Sequence, residues 1–452
     1  MTIAATTASN LDHVLATLQR DRRLPSITAG IVRGGQTLWT GTIGTLDGRP
    51  DGERPSTTTQ YRIGSITKTF VAVLVMRLRE QGRLRLDDRL GDHLDHADLD
   101  PDVARVSIEQ LLTHGARVQA ETDGPWWERT PGIDFDTLAG QVRLRPGALS
   151  HHYSNVGFAL LGRVIEVLHG RRWFDVLTDE ILTPLGMTAT TMRPTGAAAP
   201  GWAVHPFADV LMAEPEHDAG AMSPAGQLWS TVDDLLKWAD FLARGDERLL
   251  PDATLELMLQ PRVLAAPAGA PWTHTWGLGF SLHQHQLDGG GLRLLPGHGG
   301  SMPGFQAGLL ADRSTGTGAV SYTNSTDGTA GTRDLINAFL DAEPAPVRPW
   351  HAAGDPTLLD LLGTWYWGPA RVTVTADGEG LLRIEGGRSS RFRPVSPDEF
   401  VGLDGYYAGE PLRVVRGADG TPAHLDLASF RFSRTPYSPE ADIPGGLLGD
   451  WA

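Results

Sequence analysis

The stretch Tyr61-Arg62-Ile63-Gly64-Ser65-Ile66-Thr67-Lys68-Thr69-Phe70 holds the only Ser-x-x-Lys of the chain. It opens an apolar run, Phe70-Val71-Ala72-Val73-Leu74-Val75-Met76-Arg77-Leu78, whose pattern predicts an amphipathic helix. A serine at a helix start meets free backbone amides and the positive end of the helix dipole, both suited to a developing oxyanion. A lysine three residues on shares its face of the helix, so the amine reaches the hydroxyl. If buried, that amine gives up its proton readily and serves as a base. Taken alone, Ser-x-x-Lys also describes a capped helix start followed by a solvent-facing lysine, so the remainder of the chain has to decide.

Working outward, residues Leu11, Val14, Leu15 and Leu18 predict a first helix capped by Ser9 or Asn10. Two strands follow, 27–32 and 36–43, joined across Gly34-Gly35. Helical patterns occupy 107–112, 157–168, 173–181 and the segment after Ser230-Thr231. Strand patterns return at 276–282, 292–295, 305–311 and 318–323, before a helix over 332–340. These elements predict an α/β (α+β) domain whose antiparallel sheet draws on both ends of residues 1–342, interrupted by an all-helical insert of about 69–260. A Pro-rich linker, 343–355, leads to short alternating strands with Asp-Gly corners at Asp377, Asp404 and Asp419, the pattern of a small β-barrel over 356–452.

Composition bounds the function. The chain has 452 residues, 40% of them hydrophobic, a formal charge of -15 and no cysteine. That balance excludes sequence-independent nucleic-acid binding, and the missing thiols exclude cysteine nucleophiles and cysteinyl metal sites. No run matches an export signal or a membrane-spanning helix, so the expectation is a cytoplasmic location with no membrane partner. The histidine pairs His93/His96, His151/His152 and His283/His285 lack a complement at zinc spacing. No metal or cofactor is expected.

Two further segments supply partners for Ser65. Tyr153-Ser154-Asn155 precedes a helix, so a phenol and an amide project from one turn. A lysine ammonium beside that phenol would raise its acidity and let it relay the serine proton, while Asn155 offers a donor and an acceptor to a substrate amide. Tyr322-Thr323-Asn324 repeats the spacing in a late strand and is the weaker choice. His298-Gly299-Gly300-Ser301 falls between two predicted strands, where glycines admit a substrate close to the backbone. The Ser301 amide, paired with that of Ser65, would form an oxyanion hole, each donor of which typically contributes roughly 3–4 kcal/mol.

In this order the three segments resemble the motifs of the penicillin-binding-protein and class C β-lactamase superfamily of active-site serine enzymes, over about residues 9–342. The resemblance implies an acylated Ser65, Lys68 with Tyr153 as general base and acid, and Asn155 on the substrate amide. It also makes the C-terminal part similar to the lipocalin-like barrels of some members. His298 stands where most penicillin-binding proteins and β-lactamases carry lysine, which weakens carboxylate recognition and argues against β-lactamase or DD-carboxypeptidase activity. A cytoplasmic member with an added barrel looks like the penicillin-binding-protein-type thioesterases. Those enzymes take a nonribosomal peptide, often ending in a D-residue, from a peptidyl carrier protein and close it head to tail. A D-specific peptidase, amidase or esterase is the alternative on the same residues, and a catalytically silent binding protein is a third. Trp126-Trp127, Trp202, Phe207 and Trp229 are candidate walls of a peptide cleft, and Arg431 and Arg434 on the last barrel strand are candidates to fix a peptide terminus.

Overall fold

The computed structural model describes residues 2–147, 150–265, 271, 273–287, 291–328, 330–343, 355–376 and 381–436. The chain divides into two compact units, 1–346 and 347–452. Most of the Pro-rich linker and the Asp377 corner lie outside the described residues.

In the first unit eight antiparallel strands run in the order Gln36–Gly44, Ser26–Arg33, Thr317–Thr323, Phe305–Asp312, Leu292–Met302, Ser281–Gln286, His274–Trp276 and Val263–Leu264. The N-terminal hairpin joins the C-terminal strands through the pairing of Ile27 to Arg33 with Thr323 to Thr317. Burial on both faces explains why Ser26–Arg33 and Thr317–Thr323 are buried at every position. One face carries the helices Ala5–Asp21 and Thr332–Ala342, through Leu11, Leu15, Ile336 and Phe339. The other carries Val232–Arg244 and the helical insert, through Phe70, Trp238, Phe280 and Val320.

The Ser65 segment corrects the amphipathic reading. Residues 64–66 form one 3-10 turn, followed by the helix Thr67–Glu80, in which Thr67 to Met76 are all buried. Its apolar run is continuous because sheet and insert enclose it together. Phe70 stacks on Trp238 at 4.1 Å.

Local expectations also needed adjustment. The first helix starts at Ala5, so Ser9 and Asn10 lie inside it; the Ala4 amide donates instead to the Glu343 carboxylate at 3.0 Å. Residues 276–282 are not one strand, because positive φ at Gly279 turns the chain between His274–Trp276 and Ser281–Gln286. His298-Gly299-Gly300-Ser301 lies within one long strand, Leu292–Met302, rather than between two. Its first half pairs with Ser281–Gln286 and its second with Phe305–Asp312.

The second unit is a closed barrel of eight antiparallel strands, from Gly363–Trp367 to Phe430–Ser433. Trp365, Phe392, Phe400, Leu412 and Phe432 fill its interior. Closure removes the free sheet edges that strands this short would otherwise expose.

Candidate active site

Ser65 and Lys68 meet as their spacing requires. The lysine Nζ lies 2.8 Å from Ser65 Oγ, 2.7 Å from Asn155 Oδ1 and 2.6 Å from the Ala225 carbonyl. The side chain is fully buried, and burial lowers its pKa from the ordinary 10.5 to about 7, with Glu121 and Glu128 opposing part of the shift. Two of its three contacts can only accept. A neutral amine therefore spends both N–H groups on Asn155 and Ala225, and its lone pair faces the Ser65 hydroxyl.

Tyr153 completes the centre. It lines the same cleft as Ser65, and Lys68 Nζ lies 5.1 Å from the centre of its ring. The expected gain in acidity is not found: burial first, and the nearby Glu121 and Glu128 carboxylates after it, raise the tyrosine pKa. The phenol stays protonated and able to donate, while the neutral Lys68 amine is the group whose lone pair meets Ser65. Asn155 begins the helix Asn155–His169, which Ser154 caps by accepting from the Gly157 amide at 2.9 Å. Its Nδ2 donates to Glu121 Oε1 at 2.7 Å, so one amide hydrogen and one lone pair are already used within the protein. The competing Tyr322-x-Asn324 is structural. Tyr322 stacks on Tyr61 and donates to the Thr231 carbonyl, and Asn324 Oδ1 accepts from Ser26.

Opposite Ser65, His298 is buried and its Nδ1 donates to the Gly299 carbonyl at 2.5 Å. Burial, reinforced by Lys68, lowers its pKa to about 3, so the imidazole is neutral with Nε2 as the acceptor. Close approach of the strand to the nucleophile is made by two glycines. A Cβ at Gly300 would lie 1.9 Å from the Ile63 carbonyl oxygen, and one at Gly64, where φ is +49°, would lie 2.5 Å from the Ser301 amide nitrogen. Ser65 and Ser301 thus border a single cleft of about 680 Å³, whose walls include Tyr153, Trp276, His283, His298, Gly299, Gly300 and Arg333.

Other candidates sit in the core, on the surface or within the barrel. Trp229 is 2% exposed and packs edge-on against Phe305 in a two-residue strand paired with Tyr61–Arg62, so it belongs to the core and not to the cleft. Trp127 is buried and donates to Glu121 Oε2, Trp202 donates to the Leu46 carbonyl, and Phe207 is exposed. In the barrel, Arg431 is buried and donates to Asp426 at 3.0 Å. Arg434 donates to the Leu362 and Thr364 carbonyls and lies 3.9 Å over the Trp365 ring. Sequence reasoning missed Glu121, which no motif flags. It also missed Trp276, whose ring lies 5.2 Å from that of His298, and considered His283 only as a metal ligand. His283 instead accepts from Arg333 at 3.0 Å.

A nucleophilic hydroxyl, a buried amine base, a phenol and two amides at one cleft define an active-site serine enzyme. The family described as Beta-lactamase matches residues 11–343, and the chain belongs to it. A domain of unknown function, DUF7586, matches residues 354–434. Penicillin-binding protein 4 of Amycolatopsis lactamdurans is 30% identical over 320 residues, 66% of this chain and 81% of that one. Relatives from Dictyostelium discoideum and Homo sapiens, both beta-lactamase-like, are matched over only 48% and 56% of their length. Among solved structures, SurE with D-Leu is 25% identical, with a TM-score of 0.54, over 96% of this chain and 100% of that one. A D-stereospecific amidohydrolase from Streptomyces sp. is 26% identical, with a TM-score of 0.60, over 73% and 98%. No described helix is long and apolar enough to cross a membrane.

Proposed function

We propose that the protein is a serine acyltransferase that releases a nonribosomal peptide as a head-to-tail ring. The carrying observation is the pairing of a directed Lys68 base with a neutral His298: the site activates Ser65 yet offers no lysine at the third motif for a substrate carboxylate. A carrier-bound thioester has no carboxylate at its reacting end. Ser65 gives its proton to Lys68 as Oγ attacks the thioester carbonyl, and the Ser65 and Ser301 amides hold the oxyanion. The C–S bond breaks, and the thiolate takes a proton through Tyr153. The peptide's N-terminal amine then attacks the ester, the C–O bond breaks and Ser65 regains its proton. A tethered amine outcompetes water through its high effective concentration. The likeness to SurE with D-Leu supports a D-configured residue in the substrate, which the proposal puts at the acylating end, with a cytoplasmic peptidyl carrier protein as donor.

The likeness to a D-stereospecific amidohydrolase favours a second reading, hydrolysis of D-configured amides or esters on the same residues. A fluorophosphonate should label the wild type and leave Ser65→Ala unlabelled. With a peptidyl thioester mimic ending in a D-residue, mass spectrometry should find a product lighter than the linear acid by one water. Linear acid alone supports the hydrolase, and a wild type that resists the label removes both readings.

A further inference from the structure

A lysine base activates serine only if its lone pair points at the serine, and that direction is set here by a residue outside the three motifs. An asparagine side chain can present to Lys68 either its oxygen, an acceptor, or its NH2 group, a donor. With the NH2 group inward, neutral Lys68 would turn its lone pair toward Asn155 and a hydrogen toward Ser65. The acceptor faces inward because Nδ2 is claimed from the other side by Glu121 Oε1 at 2.7 Å. Glu121 is itself held. Its Oε2 accepts from Trp127 Nε1 at 2.7 Å, and Trp127 is buried. The carboxylate has only acceptors to offer, so donors converge on it from both sides: Trp127 from one, and from the other Asn155, which accepts from Lys68, whose lone pair is left for the Ser65 hydroxyl.

We infer that Glu121 is a positioning residue that locks the Asn155 amide with its oxygen on Lys68 and so aims the lysine lone pair at Ser65. This rests on the acyl-enzyme reading of Ser65 and deepens it. The same carboxylate has a second, electrostatic effect. The groups facing Lys68 are Glu121 and Glu128, which favour its ammonium form, the neutral imidazoles of His114 and His298, whose own pKa values Lys68 helps to lower, and the Tyr153 and Phe158 rings. Removing the Glu121 charge leaves burial less opposed.

Glu121→Gln is the discriminating change. A glutamine has one acceptor for two donors, and Trp127 can only donate. When the glutamine oxygen turns to Trp127, its NH2 group meets Asn155 and drives that amide over. Fluorophosphonate labelling of Ser65 should slow by about 10–100-fold, the usual effect of a misaligned catalytic group. Adding Trp127→Phe removes the competing donor, frees the glutamine oxygen for Asn155 and should recover most of the rate. In both variants the acid limb of the rate profile should move to lower pH. An unchanged rate and limb in Glu121→Gln overturn the inference. So does a double variant as slow as the single one with an unmoved limb, which would make Glu121 merely a packing residue. A wild type that is not labelled would instead strike at the acyl-enzyme reading.

Discussion

At the scale of single residues the decisive quantity is the charge on Lys68. The active form is the neutral amine, and burial brings its pKa from 10.5 to about 7. Below that value the neutral fraction falls about tenfold per pH unit, so the acylation rate should climb with pH to about 7 and then level off. His298, at about 3, contributes no limb in this range, and the raised tyrosine pKa keeps Tyr153 protonated across the plateau. Labelling rates from pH 5 to 9 check this; a rate still climbing about tenfold per unit at pH 9 would show a lysine charged at rest. Identity and spacing made Ser65, Lys68, Tyr153 and Asn155 legible in the sequence, because each reacting type must stand in reach of the next. What spacing does not carry is environment. The same Tyr153 that reads as acidified beside an ammonium becomes a poor acid once burial and two carboxylates surround it.

At the scale of elements the site depends on how closely one strand approaches one turn. Gly299 and Gly300 are adjacent in sequence yet differ in space. A Cβ at Gly299 meets nothing within 4 Å, whereas one at Gly300 collides with the Ile63 carbonyl. Gly300→Ala should therefore push Leu292–Met302 off the 64–66 turn, spread the Ser65 and Ser301 amides, and lower the acylation rate by about 100-fold. It should lower Tm as well, while Gly299→Ala keeps Tm and only narrows the cleft by a methyl group. Equal Tm losses in both would refute the close approach. The glycine pair was readable as a place for close contact, but not which glycine makes it. Glu121 was not readable at all, since it arrives on an irregular segment with no period, after the short helix Ile108–Leu112. Trp229 misled for a related reason: a two-residue strand leaves too little alternation to tell an inward face from an outward one.

At the scale of the whole molecule two units with separate cores should unfold separately, and that separation makes the barrel arginines testable on their own. Arg431 is buried and paired with Asp426, directly across from it on the neighbouring strand. Truncating such an arginine removes packing and leaves a half-buried carboxylate without this partner. Arg431→Ala should therefore destabilise the barrel by about 2–4 kcal/mol. In denaturant the barrel's transition should shift to lower concentration while that of residues 1–346 stays in place. Ser65 labelling by a small fluorophosphonate should keep its wild-type rate, since that reaction uses only groups of the first unit. The candidate role in fixing a peptide terminus makes the opposite pair of demands: stability intact, and KM for a peptidyl thioester raised with kcat preserved. An arginine already committed to Asp426 satisfies the first set and not the second, because it would have to leave a buried ion pair each time a substrate bound.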